Sequence, residues 1–167
     1  MIGLIDRARL LIVLGLTGFL LTGCLGDPAP KLDFTNIEGK KITAESYSGE
    51  VFLVNFWATS CTTCVKEMPQ IVSLYEQFKD KGFRTFAVAM KYDRPDYVVN
   101  FKETRNLPFD VILDLDGNIA KAYKDVQLTP TTYLVDRQGQ IVKTYVGEPD
   151  FDALSALIEK KLAEPQA

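Results

Sequence analysis

Phe56-Trp57-Ala58-Thr59-Ser60-Cys61-Thr62-Thr63-Cys64-Val65-Lys66-Glu67-Met68-Pro69 is the stretch on which the reading of this chain turns. Two cysteines stand two residues apart, directly after the apolar run Val51 to Phe56 and directly before a helical pattern. With Cys61 in the first turn of that helix, unpaired backbone N–H groups and the positive end of the helix dipole favour its thiolate. Cys64, one turn further on, lies within disulfide reach. A Cys-x-x-Cys pair next to a strand–helix–strand pattern reads as a redox dithiol. The competing readings are half of a zinc site, or two buried thiols packed as small hydrophobes. Zinc needs about two more soft or imidazole ligands, and the chain has no histidine and only one other cysteine.

Working outward, 167 residues suit one domain with a short extension, long enough for a sizeable core. With 47% hydrophobic and 25% charged residues the composition is ordinary and globular. A net charge of −3 argues against nucleic acid and against an electrostatic membrane surface. The absence of histidine excludes Ser-His and Cys-His nucleophile pairs and any imidazole switch. Proton transfer is left to carboxylate, thiol or water.

Residues 1–23 read as an export signal: Arg7 and Arg9 give a positive start, and Leu10 to Leu21 is uncharged and apolar. Leu21-Thr22-Gly23-Cys24 then resembles the lipobox of bacterial lipoproteins, in which the cysteine is lipidated and becomes the first mature residue. The alternative is an uncleaved membrane anchor, since Leu10 to Gly26 approaches spanning length. Either way the domain is expected outside the cytoplasmic membrane. Cys24 also accounts for the odd cysteine count, with one for lipid and two for redox. Residues 24–31 read as a polar tether and 32–167 as the folded domain.

The domain's elements follow from local pattern. Asp33–Ile37 and Lys41–Thr43 flank a Glu38-Gly39-Lys40 turn, a hairpin at the domain edge. Val51 to Phe56 has the continuous apolarity of a central strand covered on both faces. A helix with Met68, Ile71, Val72, Leu74, Tyr75 and Phe78 on its apolar face runs to Asp80 and stops at Lys81-Gly82, kinked at Pro69. Phe83 to Met90 is a second strand. Pro95 opens a helix to Asn106 with Tyr97, Val98 and Phe101 inward. Val111–Leu113, a turn at Asp116-Gly117, and a brief helix near Ile119–Tyr123 follow. Thr131–Val135 and Gln140–Val146 form a hairpin about Asp136–Gly139, and Asp150 caps a last helix. The expected fold is α/β, a central mixed sheet flanked by helices, with an N-terminal β-hairpin extension.

The strand–Phe-Trp-Ala-x-x-Cys-x-x-Cys–helix run, the helix proline and Leu128-Thr129-Pro130-Thr131-Thr132-Tyr133 resemble the thioredoxin superfamily. More closely, the chain is similar to the membrane-tethered TlpA/ResA-like thiol–disulfide oxidoreductases of bacteria, over roughly Leu32 to Leu162. The resemblance implies that Cys61 attacks a substrate disulfide and Cys64 resolves the mixed disulfide. It implies that Pro130 is a cis proline facing the cysteines, the alternative being a trans turn, and that Thr129 offers backbone hydrogen bonds to an extended substrate. Glu67 matches a glutamate that serves such proteins as proton acceptor; one helical turn separates it from Cys64. The alternative for Glu67 is a solvated glutamate stabilised by the helix dipole. Trp57 is expected to shape the site without taking part in the chemistry. The implied partners are protein disulfides, apocytochrome c among them, and a membrane thiol reductant as electron donor, with the lipid bilayer held through Cys24. No cofactor is called for.

Three departures from the family pattern limit what carries over. Asn55 stands where many thioredoxins have a buried aspartate, which shifts proton handling to Glu67 or water. Ser60 replaces a common aromatic, and Thr62-Thr63 lacks the proline and histidine of other members. The dipeptide between the cysteines influences redox poise, so no direction of exchange follows from the motif. A thiol peroxidase of peroxiredoxin type is disfavoured, because its Pro-x-x-x-Thr-x-x-Cys pattern falls here on Val54 and Ala58. A non-catalytic metal- or protein-binding module is the third reading, but related copper carriers supply a histidine.

Overall fold

The computed structural model describes residues 26–165; the signal-like segment 1–23 and Cys24 lie outside that range. The elements are β1 (Asp27–Pro28), β2 (Phe34–Thr35), β3 (Lys41–Ile42), β4 (Val51–Trp57), α1 (Thr62–Phe78), β5 (Phe83–Ala89), α2 (Pro95–Arg105), β6 (Asp110–Leu113), α3 (Asn118–Ala122), β7 (Thr131–Val135), β8 (Gln140–Val146) and α4 (Phe151–Ala163). Six strands make one sheet in the order β1-β8-β7-β4-β5-β6, and β2 pairs with β3 in a separate hairpin. β4, β5 and β6 are parallel, whereas β7, β8 and β1 join antiparallel, so the sheet is mixed. This is the expected architecture.

β4 is central, and every one of its residues is buried. Phe52, Val54 and Phe56 point to one face, into a core with Phe34, Tyr47, Phe86, Tyr123 and Tyr133. Val51 and Leu53 point to the other, packing with Leu74 and Phe78 of α1 and Leu154 and Ile158 of α4. Trp57 has the same parity and joins Cys64, Met68 and Ile71. Burial on both faces accounts for the unbroken apolar run. Each such large side chain removed from water contributes about 1.5–3 kcal/mol.

α1 runs through Pro69 to Phe78, followed by a 3₁₀ turn at Lys79–Lys81, and Gly82 ends it with φ of 86°, a left-handed conformation that suits glycine. α2 differs from expectation in its inward face. Val98 is fully buried and Phe101 packs its ring 5.0 Å from that of Trp57, but Tyr97 is exposed, with the Arg94 guanidinium over its ring at 4.4 Å. Around the helix Phe101 lies between the other two, about 60° from Val98 and about 40° from Tyr97, so Tyr97, about 100° from Val98, falls on the solvent edge of that face. Asp114, which no local pattern singled out, is buried and accepts the Ile119 and Ala120 N–H groups, capping α3.

Asp27–Pro28, inside the segment read as a tether, pairs with Ile141 and Gln140 of β8. At the opposite border the β2–β3 hairpin docks on β6 through the Asn36–Ile112 bridge, and Asn36 donates to Asp110 at 2.8 Å.

Candidate active site

The end of β4 and the start of α1 set the cysteines. Chain direction reverses through Ala58–Cys61, closed by Cys61 N–H donating to Ala58 C=O at 3.1 Å. Cys61 is the N-cap of α1, and its Sγ accepts from Cys64 N–H at 3.2 Å. A thiolate there takes the place of a capping oxygen and gains from the helix dipole. Sγ–Sγ is 2.12 Å and Cα–Cα 5.2 Å, so the pair is a disulfide. The two sulfurs are not equivalent: Cys64 is wholly buried, and Cys61 is partly exposed. An external disulfide can reach only Cys61.

Two further segments frame this turn. The Asp93 carboxylate, in the loop after β5, accepts from Thr59 N–H at 2.5 Å and from Thr59 Oγ1 at 2.6 Å, which clamps the chain two residues before Cys61. Opposite, the Thr129–Pro130 peptide is cis. The antiparallel register Phe56–Thr131 brings Pro130 level with Trp57, at the cysteine end of the sheet. Gly147 N–H donates to Pro130 C=O at 2.8 Å, and the Thr129 and Tyr92 hydroxyls meet at 3.2 Å. Tyr92 and Leu128 are both exposed beside this loop. Trp57 is fully buried under the motif, and its Nε1 has no partner among the described residues.

Glu67 is not a solvated helix residue, because its exposure is 0%. Burial pushes its carboxyl up to about 7, and donation from Asn55 only partly opposes this. Glu148 adds a like charge from the loop after β8, itself held by Lys66 at 3.0 Å. Asn55 Nδ2 donates to Glu67 Oε1 at 3.1 Å and to Thr132 Oγ1 at 2.9 Å. Thus Cys61, Cys64, Glu67, Trp57, Thr129 and Pro130 converge on one end of the sheet, whereas Cys24 lies outside the described residues. Sequence reasoning missed Thr132 and Asp93. Thr132 had a faint signal, a hydroxyl amid the buried strand β7; Asp93, in a polar loop, had none.

Comparison with known proteins agrees with this geometry. The Redoxin family model matches residues 25–158. The thiol-disulfide oxidoreductase ResA of Bacillus thuringiensis subsp. konkukian is 35% identical over 161 residues, 90% of this chain and 91% of that protein. Among solved structures, a putative thioredoxin from Neisseria meningitidis superposes with a TM-score of 0.75 at 37% identity, covering 81% of this chain and 90% of its own. A putative thiol:disulfide interchange protein DsbE from Chlorobium tepidum does so with 0.75 at 28% identity, covering 83% and 97%. Sequence, fold and dithiol geometry therefore agree, and the chain belongs to the Redoxin family as a ResA-like thiol–disulfide oxidoreductase.

Proposed function

We propose that this oxidoreductase works as a reductase of protein disulfides on the outer side of the cytoplasmic membrane, with Cys61 as attacking and Cys64 as resolving thiol. The observation that carries the reading is the asymmetry of the pair, one sulfur reachable at a helix N-terminus and the other sealed beside a buried carboxyl. The Cys61 thiolate attacks one sulfur of the substrate disulfide; an S–S bond forms to Cys61 and the other substrate sulfur leaves as thiolate. Cys64 then gives its proton to the Glu67 carboxylate, and its sulfur attacks Cys61 Sγ. The second substrate thiolate leaves, and the Cys61–Cys64 disulfide remains. Thr129 and Pro130 form the rim against which an extended substrate strand lies, and Trp57 supports the motif from below.

A lipid anchor at Cys24, exposed by removal of residues 1–23, holds the domain at the membrane. A membrane thiol reductant restores the dithiol, and apocytochrome c is the candidate substrate. The resemblance of Leu21–Cys24 to a lipobox supports the anchor, and the family membership supports the protein substrates. In Cys64→Ser, attack proceeds and resolution stops. Substrates then accumulate as mixed disulfides on Cys61, seen as adducts on non-reducing gels that dithiothreitol abolishes. Adducts in Cys61→Ser instead, or none in either variant, would overturn the assigned roles. Equilibration in glutathione buffers sets the direction: a midpoint well below that of glutathione supports reduction, and one well above it argues for disulfide donation.

A further inference from the structure

Glu67 belongs to a small polar knot whose other members, Asn55 and Thr132, take no part in the exchange steps above. Asn55 of β4 and Thr132 of β7 are direct cross-strand partners on the sheet face that α1 covers. Both are buried, Asn55 completely. The two hydrogens of Asn55 Nδ2 are both engaged, one by Thr132 Oγ1 and one by Glu67 Oε1. Two atoms of the knot are left over. Asn55 Oδ1 and Glu67 Oε2 are each buried without a hydrogen-bond partner among the described residues. They are complementary, since an amide carbonyl lacks a donor and a carboxyl oxygen supplies one whenever it carries a proton.

We propose that Asn55, locked by Thr132, is a positioning residue for Glu67 that fixes one carboxyl oxygen and receives the proton borne by the other, so that the acid form is stabilised while the cysteines are joined. The proposal rests on the reading of Glu67 as acceptor of the Cys64 proton. During resolution the S–H bond of Cys64 breaks, an O–H bond forms at Glu67 Oε2, and the Cys64 electron pair makes the S–S bond to Cys61 as the substrate thiolate leaves. The new acid proton then has Asn55 Oδ1 as acceptor, directly or across one water. On reduction an incoming thiolate bonds to Cys61, Cys64 Sγ leaves as a thiolate and takes the proton back from Glu67 Oε2, and Asn55 Oδ1 gives up its donor. An aspartate at position 55 would set a second carboxyl against Glu67, and the two would share one proton. The charged and titratable groups around Glu67 are Cys61 and Cys64, Glu148 from the loop after β8, and Lys66, which Glu148 binds.

Stopped-flow reaction of the reduced soluble domain with a disulfide-containing peptide separates attack, which depends on peptide concentration, from resolution, which does not. It is run between pH 5.5 and 9. Glu67→Gln is expected to slow resolution about 100-fold and to flatten its pH profile, the scale of a lost general base. Thr132→Val should slow resolution about tenfold relative to attack, the scale of one buried hydrogen bond, and Thr132→Ser should restore it. In the Glu67→Gln background Thr132→Val should add nothing, since its effect passes through the carboxyl. Losses that simply multiply in the double variant, or a Thr132→Val rate equal to wild type, would overturn the positioning role. Normal resolution in Glu67→Gln would instead overturn the proton-acceptor reading beneath it.

Discussion

The buried Glu67 carboxyl makes the oxidised protein's stability depend on pH in a way that one isosteric substitution isolates. Its pKa is raised from 4.5 to about 7 in the folded state, chiefly by loss of hydration. Between those values the folded chain holds a proton that the unfolded chain has given up, so stability falls as pH rises, by about 1.4 kcal/mol per pH unit for this one group. Below pH 4.5 both states are protonated and the group contributes no slope. Above 7 both are ionised and the full cost has been incurred, about 3 kcal/mol for a shift of this size. Glu67→Gln keeps the shape and the acceptor oxygen for Asn55 but never ionises. The variant is therefore expected to match wild type within about 1 kcal/mol at pH 5 and to exceed it by about 2–3 kcal/mol at pH 8. Urea unfolding of both proteins in the disulfide form, at matched ionic strength, measures this difference, and all other titrating groups cancel. A difference constant from pH 5 to 8 would refute a Glu67 pKa near 7. A difference rising below pH 5 instead would mean that the carboxyl is ion-paired and its pKa lowered in the folded state.

Tyr123 Oη is buried without a partner among the described residues, so Tyr123→Phe should leave the thermal midpoint unchanged or raised. Tyr133→Phe, which removes the 2.8 Å bond to Tyr123 C=O, should cost about 1–2 kcal/mol; a larger loss from Tyr123→Phe than from Tyr133→Phe would contradict this ordering. Asp93→Ala frees Thr59 and should cost about 2 kcal/mol in urea unfolding, given two hydrogen bonds to a charged acceptor. The same variant should slow iodoacetamide alkylation of reduced Cys61, since the sulfur is no longer held at the helix terminus; an unchanged rate would show that the turn holds its shape without the clamp.

How much of this was legible in the chain depends on the distance over which the information lies. The β7–β8 hairpin, the Asp150 cap, which accepts Ala153 N–H at 3.0 Å, and the double-sided strand β4 are encoded within a few residues, and all stand where pattern put them. The cysteine pair was legible for the same reason, because a strand end and a helix start are adjacent in sequence. The Asn55–Thr132 bond joins residues 77 apart, and the Asp93–Thr59 clamp residues 34 apart. No local pattern reports such pairings; they exist only once the sheet register is fixed. Asn55 could be read as a substitution, but not as the centre of a knot. Tyr97 departs from expectation because aromatic character does not by itself fix inwardness: α2 turns that position to water, and Arg94 covers its ring. β1, at two residues, is too short to produce any periodicity.

That short strand bears on where the chemistry takes place. Were residues 24–31 all free, a chain held at Cys24 could swing on a leash of about 27 Å, eight residues at full stretch. Stitching Asp27 onto β8 shortens the slack to three residues, about 10 Å. A chain acylated at Cys24 would thus ride close against the headgroups, with the β1 edge of the sheet nearest the bilayer. Three inter-strand spacings, about 14 Å, separate β1 from the strand that leads to Cys61. If Cys24 carries the proposed lipid, clients have to come to the membrane to be reduced, because so short a leash does not let the domain reach out to meet them.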